Sequence, residues 1–282
     1  MNLAAKIAGL VAIPAQLFDS SVSTANQVVE TALQHLPDSI EKVERIFIPV
    51  EEGRGVQALL IYPTGAHRSN CIVYNHPNTN TLPYYLSRGF ESQLPPFQLM
   101  FKRKCPVLLY DYRGTGISRP EIFEGANFVN HMPCVNTTSA DAYAVLAYAL
   151  NRFAHIELWG SSFGAGVATV ACDAYLSENP EQACRIRLFH HDSFTRIGAV
   201  AFPKEFMGLA SFLGTELDAE IPMRRLAARG VKIAILCHTN DPVIRAGARM
   251  AEILPSLRGK VRLIESAHYS HASLTEDMLQ QI

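Results

Sequence analysis

Apolar and polar residues follow two different rhythms along this chain. In residues 1–36, Leu3, Ile7, Leu10 and Val11 repeat at helical spacing up to Pro14, whose missing N–H should end or kink the segment. Val22, Val29, Leu33 and Leu36 form a second helical stripe, with Ser20, Ser21 or Ser23 available as N-cap. From Glu41 the texture changes to short apolar runs. Residues 43–50 and 56–62, joined by a glycine-containing turn, predict a β-hairpin. Further buried strands are expected at 70–75, 106–110, 155–159, 185–190, 231–237 and 260–264. Helical patterns fall at 83–104, at the alanine-rich 140–151, at 163–178 and from about 270 onward, while 119–138 reads as irregular.

Beyond the hairpin, near-continuous apolar strands alternate with helices, the mark of a mostly parallel sheet covered on both faces. The expectation is therefore an N-terminal helical extension, 1–36, followed by one α/β domain, 37–282, with eight strands. In such sheets ligands bind beyond the carboxyl ends of the strands. The chain's polar clusters fall at those ends: His76-Pro77-Asn78, Asp111 to Ser118, His191-Asp192-Ser193, Asn240-Asp241-Pro242 and Ser266-Ala267-His268.

Composition narrows the function without naming it. With 48% apolar residues and a net charge of −1, the chain can bury a large core, and no basic stripe with interleaved aromatics points to nucleic acid. Cys71, Cys105, Cys134, Cys172, Cys184 and Cys237 are not at metal-ligand spacing. Most sit in apolar contexts, which favours free thiols in a reducing, cytoplasmic compartment. Arg113-Gly114-Thr115-Gly116 lacks the Gly-Lys-Ser/Thr ending of a phosphate-binding loop, so no cofactor is implied. For residues 1–36, packing on the domain or on a partner chain is favoured over peripheral membrane contact, because cations are scarce there. One Lys and a proline-interrupted apolar run make a poor signal peptide.

One stretch carries candidate chemistry. Gly160-Ser161-Ser162-Phe163-Gly164 is G-x-S-x-G, placed where an apolar strand meets a helix opened by small residues. A serine on so sharp a turn holds a strained backbone, and its flanks are pressed together, so glycine is required there. The following helix points free N–H groups at charge developing near Ser162.

Together with its order of elements, the chain resembles the α/β-hydrolase superfamily from about Glu41 to Ile282. The likeness rests on an antiparallel start, the His76-Pro77-Asn78 loop, the D-Y-R-G-x-G-x-S run from Asp111 to Ser118, the elbow, Asn240-Asp241-Pro242 and a last strand ending in His268, with Ser162, Asp241 and His268 in the family's chain order. D-Y-R-G-x-G-x-S is similar to the serine-hydrolase branch of acylglycerol lipases, lysophospholipases and small esterases. The resemblance implies an α/β-hydrolase fold, a mostly parallel eight-stranded sheet with helices on both faces and a short cap between strands six and seven.

The implied activity is hydrolysis of a small-molecule ester, thioester or lipid-like substrate through an acyl-enzyme. Ser162 would be nucleophile, His268 base and acid, and Asp241 the orienting carboxylate. Asp192 is the rival acid and His271 the rival base; position directly after the last strand favours His268. Ser161 sits one place off the glycine frame and is expected to be a packed strand-end residue. Asp111 and Arg113 are expected to hold the loop beside the site. The N–H of Phe163 is the implied oxyanion donor. Where relatives have His-Gly, this chain has His76-Pro77, and Pro77 has no N–H, so Asn78 is the expected second donor. Residues 199–221, with Val200, Phe202, Phe206, Met207, Leu209, Phe212, Leu213 and Leu217, are the expected cap.

Overall fold

We describe a computed structural model of the chain, covering residues 22–51, 53–78, 80–119, 134–201, 216–257 and 261–282. Its eight strands are β1 (Ile40–Glu51), β2 (Arg54–Pro63), β3 (Asn70–Asn75), β4 (Val107–Tyr110), β5 (His155–Ser161), β6 (Ile186–His191), β7 (Lys232–His238) and β8 (Val261–Ser266). They form one sheet in the order β1-β2-β4-β3-β5-β6-β7-β8. Only β2 runs against its neighbours; β3 through β8 are mutually parallel.

Side chains along the central strands alternate between two cores. Val73, Leu108, Leu158 and Leu188 enter one cluster. Their neighbours Ile72, Tyr74, Leu109, Trp159 and Phe189 enter the other. Because both faces are covered, the period-two pattern disappears from the sequence into a continuous apolar run. The rings of Trp159 and Phe189 stack at 3.9 Å in the second core, locking β5 to β6.

The first core is roofed by α4 (Val135–Arg152), α5 (Phe163–Glu178) and α7 (Glu220–Ala228), after the short α6 (Ile197–Ala201). The second packs against α1 (Val22–Gln34), α2 (Leu82–Ser87), α3 (Pro95–Arg103) and α8 (Glu276–Gln281). Ala25 and Val29 of α1 are fully buried in this second core beside Leu82 and Leu86, and Arg45 of β1 reaches Asn26 at 2.8 Å. The first expected helix of the extension, with Leu3, Ile7, Leu10 and Val11, lies outside the described residues, as does most of the expected cap, 202–215. Among the described residues, no helix is long and apolar enough to cross a membrane.

Three element boundaries differ from expectation. The zone 83–104 breaks into α2 and α3, since Gly89 adopts φ +83° and Pro95 and Pro96 open α3. α4 starts earlier than 140 because Cys134 and Thr137 form a capping box, the Cys134 N–H donating to Thr137 Oγ1 at 2.8 Å. α8 begins at Glu276 rather than near 270, because Ala272 has φ +56° and cannot be helical.

Asp111 and Arg113 brace the loop after β4. Asp111 accepts the N–H groups of Leu82 (2.7 Å) and Ile117 (2.8 Å), joining that loop to α2. Arg113 donates its backbone N–H to Asp141 Oδ2 at 2.8 Å, pairs its Nε with Asp141 Oδ1, and meets Glu51 at 2.9 Å. Burial pushes the Asp141 carboxyl up to about 6 against the pull of Arg113.

Candidate active site

Neighbouring strands β3 and β5 pair Asn75 with Gly160, and the order reverses direction beside them. Chains leaving the two strands turn to opposite faces there, which opens a crevice at the carboxyl edge. Ser162 stands at that point with φ +53° and ψ −123°, a conformation that L-residues avoid at a cost of order 1–3 kcal/mol.

Several contacts hold it. Its N–H donates to the His191 carbonyl at 2.9 Å, and its own carbonyl accepts Ser193 Oγ at 2.6 Å and the Ala165 N–H at 3.0 Å. The glycine frame has a steric reason on each side. A Cβ on Gly160 would lie 2.4 Å from Ala165 Cα, and one on Gly164 would lie 2.2 Å from the Asn75 carbonyl oxygen.

Two further side chains converge on the Ser162 hydroxyl. His271 Nε2 lies 2.9 Å from Ser162 Oγ, and His271 Nδ1 lies 2.8 Å from Asp241 Oδ2. A carboxylate can only accept, so Nδ1 carries the proton and Nε2 presents its lone pair to the serine O–H. Asp241 is itself fixed, because Oδ1 accepts the N–H groups of Val243 (2.7 Å) and Ile244 (2.9 Å). The Asp241 side chain is 2% exposed and that of His271 18%. Ser162 is half-buried.

The structure thus brings together Ser162 and Asp241 as expected, but with His271 in place of His268. β8 is the edge strand, three strand spacings (about 14 Å) from β5. A histidine directly after β8 stays near that edge: His268 is exposed, its N–H turned back toward Ser266 Oγ at 3.5 Å. The loop needs three more residues to cross toward the elbow. It is tied down on the way, Asn240 Nδ2 donating to the Ala267 carbonyl at 2.7 Å and the Ala272 N–H to Asp192 Oδ2 at 2.8 Å.

Asp192, the rival acid, lies beneath this pair rather than in it. It is 2% exposed and accepts both the backbone N–H (2.8 Å) and ring Nδ1–H (2.6 Å) of His238. Burial alone would raise its pKa, but His191 and His238 hold the carboxyl well below the usual range. Ser161 is buried, taking the Tyr74 O–H at 3.0 Å and lying 3.3 Å from His191 Nδ1. The support given by Asp192, Ser193 and His238 was missed in the sequence; its one signal was the polar run His191-Asp192-Ser193 closing an apolar strand.

On the other wall, Pro77 accepts the His76 Nδ1–H at 2.8 Å and the Asn80 N–H at 3.3 Å. Burial lowers the His76 pKa to about 4, so the ring is neutral and Nδ1 keeps its proton. Phe163 takes the first position of α5, and Asn78 is half-buried directly after Pro77.

Two groups could be thought of as metal ligands, His191–Asp192–His238 and Asp192–Asp241–His271, with donor atoms within 4.8 Å of one another. Two ligands on a tetrahedral zinc stand about 3.3 Å apart. The nitrogen-to-oxygen distances of 2.6 Å and 2.8 Å are those of hydrogen bonds, so we read both groups as proton-linked.

The fold is similar to that of several solved structures. The thermostable carboxylesterase EstE1, cloned from a metagenomic library, is 17% identical, with 90% of each chain covered and a TM-score of 0.54. An esterase of Pyrobaculum calidifontis is 16% identical over 93% of this chain and 90% of its own, with a TM-score of 0.53. The Pyrococcus furiosus esterase Pf2001 is 14% identical over 82% and 83%, with a TM-score of 0.51. No protein-family model and no curated protein matches the sequence. At such identities the likeness defines architecture: the chain has the α/β-hydrolase fold.

Proposed function

We propose that this chain is a serine hydrolase that cleaves a carboxylic ester or thioester with a partly apolar acyl group through an acyl-enzyme. The observation that carries the reading is the continuous run Ser162 Oγ, His271 Nε2, His271 Nδ1, Asp241 Oδ2, at 2.9 Å and 2.8 Å. A serine hydroxyl is a weak nucleophile until a base takes its proton during attack. His271 takes it, and Asp241 orients the ring and stabilises the imidazolium. His271 then protonates the leaving alcohol or thiol, and a water activated by the same imidazole releases the acid from Ser162.

The tetrahedral oxyanion needs fixed donors, each worth about 3 kcal/mol. The Phe163 N–H, at the start of α5, is one; Asn78 is the second, since Pro77 has none to give. The apolar preference is supported by the apolar and aromatic composition of residues 199–221; Phe194 and Leu217, packed against Gly166 one turn beyond Ser162, belong to the buried core. Esterases are also the solved structures to which the fold is similar.

Labelling with a fluorophosphonate tests the reading. The folded protein should be labelled covalently, and Ser162→Ala should abolish the label. A folded chain that stays unlabelled would overturn this reading in favour of the alternative, a catalytically silent α/β-hydrolase-like protein that binds a ligand or a partner. Ser162→Ala protein that still reacts would overturn Ser162 as the nucleophile.

A further inference from the structure

Ala272, immediately after His271, carries φ +56°, and Asp192 carries φ +44°. These two non-glycine residues in left-handed conformation are joined by one hydrogen bond, from the Ala272 N–H to Asp192 Oδ2 at 2.8 Å. Such backbone persists only where the surroundings over-determine it. Asp192 is over-determined. Its N–H donates to the Leu236 carbonyl at 2.9 Å, and Oδ1 takes the His238 N–H at 2.8 Å. Oδ2 takes the His238 Nδ1–H at 2.6 Å and faces His191 Nε2 at 3.2 Å. Behind it, His191 Nδ1 lies 3.3 Å from Ser161 Oγ, which takes the Tyr74 O–H at 3.0 Å. The chain of polar contacts thus runs from β3 through β5, β6 and β7 to one amide of the loop after β8.

We propose that Asp192 is the positioning residue for the histidine base, fixing His271 in register with Ser162 through the Ala272 amide while adding a second carboxylate beside the Asp241–His271 pair. This rests on the reading of Ser162, His271 and Asp241 as the hydrolytic set. The loop has to cross from the sheet edge, and its earlier residues His268 and Tyr269 are exposed, Tyr269 by 79%. Asp241 holds one nitrogen of the ring but leaves the backbone that carries it unfixed. The Asp192 contact, one residue on, fixes that backbone. Donor atoms of Asp192, Asp241 and His271 lie within 4.8 Å of one another, so both carboxylates also feel the charge formed on the imidazole.

The test compares wild-type protein, Asp192→Asn and Asp192→Ala on a soluble aryl ester, with the folded fraction of each taken from circular dichroism. Displacing a catalytic group by about 1 Å costs on the order of 100-fold in rate. We expect kcat per folded molecule to fall by about 30- to 100-fold with KM within about twofold, since the base and not the substrate pocket is disturbed. A kcat within about twofold of wild type overturns the proposal.

Amide hydrogen exchange on the wild-type protein gives a second measurement that requires no variant and no activity. The Ala272 amide should exchange at least about 100-fold more slowly than that of Tyr269, and equal rates overturn the proposal even if neither variant folds. A wild-type protein that is unlabelled by fluorophosphonate but shows the slow Ala272 amide defeats the hydrolase reading alone.

Discussion

A histidine can act as base where one nitrogen is held protonated and the other is aimed at the hydroxyl, and among the described residues His271 alone meets both conditions. Its Nδ1 is 2.8 Å from Asp241 and its Nε2 2.9 Å from Ser162, whereas His268 is exposed on the same loop. General-base catalysis contributes about 10²–10⁴-fold. His271→Ala should therefore lower kcat by at least on the order of 10²-fold, while His268→Ala should stay within about twofold of wild type. Steady-state kinetics on both variants decides between them; the opposite ranking would restore His268 as the base.

At the scale of elements, the elbow depends on how closely α5 approaches the end of β3. The carbonyl oxygens of Asn75 and His76 would lie 2.2 Å and 2.4 Å from a Cβ on Gly164. Both are backbone atoms and cannot rotate away. In an exposed helix, glycine to alanine would gain about 1 kcal/mol. Here overpacking, typically about 1–3 kcal/mol, works against that gain, and relief requires moving the β3 loop off the serine. Gly164→Ala should thus lower stability in urea denaturation and slow fluorophosphonate labelling. A variant of unchanged stability and labelling rate would show that the β3 loop yields without consequence for the site.

Across the whole molecule, buried titratable groups set the response to acid. Burial lowers His190 to about 3 and His76 to about 4, so both are neutral when folded. An unfolded histidine charges below about 6.5. The unfolded state therefore binds more protons between about pH 6.5 and 4, and stability falls as pH drops through that window. At about 1.4 kcal/mol per pKa unit, each histidine contributes a loss on the order of 3 kcal/mol near pH 4. Asp141, raised to about 6, acts the other way and offsets one of them. The net loss should lower the melting temperature by on the order of 10 °C between pH 7 and pH 4.5. His190→Asn removes one titrating group and should flatten that dependence; an unchanged slope would place the acid sensitivity elsewhere.

Sequence by itself determined the parts governed by local chemistry. The central apolar runs became strands because each is buried on both faces, and helix α5 occupies the span its small residues predicted. Gly160, Ser162 and Gly164 were legible because a strained turn admits few residue types. Asp241 was legible because Asn240-Asp241-Pro242 ends an apolar strand, while the same rule applied to the last strand pointed to His268. Tertiary structure decided otherwise, for the distance from an edge strand to the elbow is a property of strand order, which no local pattern encodes. The anchor that fixes the crossing loop is likewise invisible along the chain: Asp192 and Ala272 stand far apart in sequence and meet only because β6, β7 and β8 are neighbours in the sheet.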